Sequence, residues 1–170
     1  EEDDLRAQIQ VAVITFGAGD AKVHLPLALP EQTSWTDLSA KGDTPMGAAF
    51  TQTRALLDDR ATIPSRAYRP TVVLLSDGQP TDAWKPPLDA LLQSERGQKA
   101  FRMALAIGAD ADETVLKAFL ADPEARVFRA DEARQIRKFF RFVSMSVTSR
   151  SRSANPNAAP VIDAEDDWEP

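Results

Sequence analysis

The stretch "VVLLSDGQPTDAW" (residues 72–84) drives an apolar run straight into Ser76, Asp77 and Gly78, then through a proline turn to a second acid at Asp82. Earlier in the chain, "KGDTPMGAAF" (residues 41–50) sets Asp43 and Thr44 at the start of a helical pattern. In doubly wound α/β folds, ligands collect in the crevice outside the carboxyl ends of the parallel strands. A carboxylate from Asp77 and a hydroxyl from Thr44, brought to that crevice with water, make hard oxygen ligation of the kind Mg²⁺ or Mn²⁺ takes, rather than zinc. The same residues also have a purely architectural reading, with Asp43 or Thr44 as a helix cap and Asp77-Gly78 as a turn.

The elements that must position these groups follow from hydrophobic periodicity. "IQVAVITF" (9–16) is β-branched and apolar with almost no polar interruption, which predicts a strand buried on both faces. "GAGD" is a turn, and residues 22–29 form a second strand, giving an antiparallel hairpin at a sheet edge. An irregular loop with Trp35 leads to a helix whose first turn holds Pro45 and whose inner face carries Met46, Ala49, Phe50, Thr53, Leu56 and Leu57. A strand over 71–76 and a helix over 88–96 stopped by Gly97 come next. They are followed by a strand over 101–107, a helix over 112–120 opened by "DADE", and a short strand over 126–129. The last helix, 131–147, turns Ile136, Phe139, Phe140 and Val143 inward. Strands and helices alternating on short connections predict an α/β fold: a doubly wound, mostly parallel sheet with helices on both faces and one antiparallel edge strand.

One folded domain over 1–148 accounts for this pattern, and 149–170 reads as a disordered Ser/Arg/Pro linker with an acidic tail, "VIDAEDDWEP". That tail is either a solvated terminus or a short docking peptide for a partner. The net charge of −6 argues against non-specific nucleic-acid binding. No apolar run reaches the ~18 residues of a membrane span, and the chain has no cysteine, which suits a reducing, cytoplasmic setting. The first residue is Glu1, so the sequence is expected to be a fragment or a processed product.

Other features have bland explanations. "GAGDAK" lacks the spacing of a phosphate loop and precedes a strand. His24, the sole histidine, has no Ser/Asp machinery around it. Asp110, Asp112 and Glu113 serve as a helix start rather than a calcium loop. Arg134, Arg137, Lys138 and Arg141 form a solvated basic stripe, with a partner-binding face as the second reading.

Taken together, "KGDTPMGAAF", "RPTVVLLSDGQPTDAW" and the order of elements around them resemble a von Willebrand factor type A (vWA) domain over residues 9–151. "VITFGAGDAKVHLPL" and "FFRFVSMSVTSRS" resemble its bacterial TerY-like branch, associated with tellurite resistance and stress response. The resemblance implies a metal-ion-dependent adhesion site. Thr44 stands at the threonine position and Asp77 at the aspartate position, with Asp43, Gly78 and Asp82 behind the ion or facing a partner. It implies a non-enzymatic module that docks a protein through Mg²⁺ (or Mn²⁺), with a kinase and a phosphatase of the same operon as partners. The family's D-x-S-x-S motif does not occur in the chain. Sequence upstream of Glu1, or another chain, is expected to carry it. The alternatives are a metal-free vWA scaffold and a Mg²⁺-dependent phosphohydrolase, though the D-x-D-x-T nucleophile of the latter is not present.

Overall fold

The computed structural model describes residues 7–39 and 42–158. Strands β1 (Val11–Gly17) and β2 (Asp20–Ala28) form the expected antiparallel hairpin. Its turn places Ala18 and Gly19 at φ 50° and 87°, the paired left-handed conformation whose twist matches that of a hairpin. Pro26, which cannot donate to a ladder, lies in β2, which among the described residues pairs with β1 alone.

Helix α1 (Met46–Asp58) leads to β3 (Thr71–Ser76), α2 (Lys85–Gln93), β4 (Phe101–Ile107), α3 (Glu113–Leu120), β5 (Phe128–Ala130) and α4 (Ala133–Ser151). The strands β3, β4 and β5 are parallel, in that order, with Ser76 opposite Ala106 and Leu105 opposite Phe128. Alternation along the strands splits the core in two. Leu74, Ala104 and Ala106 face one layer with Met46, Phe50, Leu88, Leu116 and Phe119 from α1, α2 and α3. Leu105 faces the other with Phe128 and Phe139 under α4, flanked by Val73, Leu75 and Met103. Helices thus cover both faces of the parallel sheet, as an α/β doubly wound fold requires.

Several details differ from the sequence reading. Among the described residues the hairpin is a sheet of its own, not hydrogen-bonded to β3–β4–β5. Strand β1 is half-buried with Val11 exposed, not covered on both faces. Helix α2 starts at Lys85, earlier than 88, since Pro86 and Pro87 fall in the first turn, where no amide donor is needed. Phe140 points outward at 47 % exposure while Phe139 is fully buried. One residue is about 100° around a helix, so both cannot face the sheet; Phe142 takes the inward place against Phe128, 5.3 Å between ring centroids. Helix α4 runs past 148 to Ser151, opened by a capping box of Glu132 and Gln135. The charged start and the acidic tail lie outside the described residues.

Candidate metal centre

Strand β3 is buried at Leu74 and Ser76 and delivers Asp77, exposed, at its carboxyl end. The Ser76 hydroxyl is held inside the turn that follows, donating to the Gly78 carbonyl at 3.2 Å and accepting from the Gly78 amide at 3.4 Å. The same Gly78 carbonyl accepts from the amide of Asp112 at 3.4 Å, which draws the loop after β4 alongside. Asp112 itself caps α3 through the Thr114 amide at 2.8 Å, as its sequence position suggests, and Asp110 is exposed nearby in the chain.

Thr44 reaches this loop from the other side. A Cβ at Gly78 would stand 3.1 Å from Thr44 Oγ1, so the Thr44 hydroxyl lies against the backbone immediately after Asp77. Only glycine leaves that approach unobstructed. The segment entering Thr44 is set by another close contact: Gly42, at φ 77°, packs so near the hairpin turn that a Cβ would be 2.9 Å from the Ala18 backbone.

Thr81 and Asp82 fix the relation between the two loops. The amide of Thr81 donates to the Thr44 carbonyl at 3.0 Å, and Thr81 Oγ1 accepts from the Thr44 amide at 3.1 Å. Asp82 accepts from the amides of Gly47 at 2.8 Å and Ala48 at 2.9 Å, one with each carboxylate oxygen. The cap of α1 is therefore not Asp43 or Thr44. Pro45 occupies the N-cap position without a side-chain cap, and a carboxylate from a loop 35 residues away takes the open amides. Asp43 is exposed.

Of the residues named from sequence, Thr44 lies with its hydroxyl against Gly78, the residue after Asp77, and Asp82 braces α1. Thr81 was missed. Its only sequence signal is a hydroxyl beside Asp82 in "PTD", and its partner is too distant in the chain for periodicity to find.

Thr44 and Asp77 offer a hydroxyl and a carboxylate, donors that suit a hard divalent ion in kind. Among the described residues no group of three or more His, Cys, Asp or Glu is gathered as a metal site. Two such donors are fewer than a divalent ion of this kind takes, so an ion there would need further oxygens.

A model of the von Willebrand factor type A domain matches residues 3–142, and the chain belongs to that family. Such domains are generally non-enzymatic and usually mediate protein–protein interactions. Comparison with curated proteins finds no match. Among the described residues no helix is long and apolar enough to cross a membrane.

Proposed function

We propose that this chain is a cation-gated protein-docking module of the TerY-like branch, working in the cytoplasm in tellurite-stress or defence signalling. The observation that carries the reading is the packing of the Thr44 hydroxyl against the Asp77–Gly78 turn at the carboxyl end of β3. Thr44 and Asp77 would hold Mg²⁺ or Mn²⁺, and the ion would supply a positive centre for an acidic side chain of the partner. Thr81 and Asp82 hold the two loops in register, while the exposed Asp43 faces the partner. The remaining oxygens would come from water or from the partner. A kinase and a phosphatase encoded beside it are the partners proposed.

Titration calorimetry with Mg²⁺ and Mn²⁺ tests the reading on the wild type and on Asp77→Ala and Thr44→Ala. Binding by the wild type, lost in both variants with folding unchanged, is the expected result. Absence of binding by the wild type favours a metal-free scaffold. Phosphate-ester hydrolysis abolished by Asp77→Ala would replace the docking reading with a phosphohydrolase.

A further inference from the structure

Helices α1, α2 and α3 each set an acid and a cation four residues apart: Arg54 with Asp58, Lys85 with Asp89, and Glu113 with Lys117. Opposite charges at that spacing support a helix. Helix α4 does the reverse. Its sequence from Ala133 to Ser151 contains no acid, and its cations repeat at the same spacing, Arg134 with Lys138 and Arg137 with Arg141. Like charges so placed oppose the helix. Arg134 also stands in the first turn, at the positive end of the helix dipole. Asp131 and Glu132 just precede the helix, Glu132 as its cap.

Among the described residues none of Arg134, Arg137 and Arg141 forms an ion pair, and all three are exposed. With 3.6 residues to a turn, they fall within about 60° of azimuth. Phe140 and Met145 flank them, 47 % and 45 % exposed, while Phe139 on the far side of the helix is buried against Phe128. The Phe140 ring stands edge-on to Phe139, 5.9 Å between centroids. The face is thus guanidinium in the middle and apolar at its margins, in a chain whose net charge is −6.

We propose that this face of α4 docks an acidic amphipathic helix of a protein partner. Aromatic, Met and Arg side chains are the ones enriched at protein–protein interfaces. Arg134 and Arg141 lie two helical turns, about 10 Å, apart, so carboxylates three and four residues apart on a partner helix meet the arginines in register. Guanidinium forks take a carboxylate through two parallel N–H···O bonds, and such acids relieve the repulsion along α4. Apolar residues beside them seat on Phe140 and Met145. A short segment meets the arginines alone, because charges elsewhere on the surface are screened beyond about 8–10 Å. A membrane or a nucleic acid is an extended polyanion, and meets the acidic remainder of the chain as well. Helix α4 covers the opposite side of the sheet from α1, so this contact is independent of Thr44 and Asp77.

The probe is a synthetic helical peptide with Glu at i, i+3, i+4 and i+7 and Leu on both sides of that row, titrated into the full chain in EDTA. Amide shifts are expected at Arg137, Phe140, Arg141, Ser144 and Met145, and should be the same in Asp77→Ala. Arg137→Glu combined with Arg141→Glu should weaken binding about tenfold or more, and Phe140→Ala about threefold or more. Both arginines are exposed, so the folded spectrum is retained in the double variant. A peptide with Gln in place of Glu should lose binding to a similar degree. Absence of shifts, shifts centred on Asp77, or equal binding by the double variant overturns the proposal. So does tighter binding of anionic phospholipid vesicles or of a duplex DNA oligonucleotide than of the peptide.

Discussion

The carboxylate of Asp82 closes the N-terminus of α1 by accepting from Gly47 at 2.8 Å, with Ala48 on its other oxygen. One loop thereby supplies both Asp77 at the sheet edge and the brace for the helix that follows Thr44. Asp82→Ala should lower stability by about 1–2 kcal/mol, since it opens two helix amides and removes a charge from the positive end of the helix dipole. Denaturant unfolding measures this. A variant as stable as the wild type would show that water caps α1 equally well.

Gly78→Ala should separate the site from the fold. The new Cβ meets Thr44 Oγ1 at 3.1 Å, so the hydroxyl must shift while the core behind it is untouched. The expected outcome is a loss of under about 1 kcal/mol in stability together with loss of any Mg²⁺ heat. Retained binding with wild-type affinity would show that the site tolerates the shift of the Thr44 hydroxyl.

The adjacent phenylalanines of α4 should behave as opposites. Phe139→Ala empties a fully buried position against Phe128, 5.2 Å between ring centroids, and should cost about 3–5 kcal/mol. Phe140→Ala removes a ring that is 47 % exposed and should cost under about 1 kcal/mol. Equal losses in thermal unfolding would mean that Phe140 is buried too.

Arg150→Lys should not be a conservative change. An ammonium cannot span Thr71, Arg69 and Pro156 at once, nor lie flat on Phe101. Stability should fall by about 1–3 kcal/mol, with faster amide exchange at the start of β3. Unchanged exchange there would show that the clamp does not hold the strand.

Asp59, which ends α1, accepts from the Thr62 hydroxyl and the Ala61 amide, and these bonds hold its carboxyl below the ordinary 3.8. A lowered carboxyl contributes stability above the unfolded value and loses it as pH falls through the folded one. Side-chain NMR should therefore show Asp59 titrating below 3.8, and Thr62→Val should raise its midpoint. An unmoved midpoint would remove the Thr62 hydroxyl as the cause.

Much of this architecture is legible in residue types alone. Short apolar runs bounded by turn residues placed β3 over residues 71–76 and β4 over 101–107, and the turn chemistry of "GAGD" placed the hairpin. The approach of Thr44 to the loop after β3 was reachable because loops at the carboxyl ends of parallel strands converge. Only the tertiary structure decided the rest. Phe139 and Phe140 are chemically identical, and the azimuth of α4 on the sheet chooses between them. Asp43, Thr44 and Asp82 are all capable caps, and the fold hands α1 to Asp82, although Asp43 and Thr44 are far closer in sequence. Arg69 and Arg150, 81 residues apart, both lie over the ring of Phe101. Local patterning reports the few residues within a turn or a strand. Contacts across such separations depend on how whole elements dock, and that is settled by burying the two faces of the sheet together.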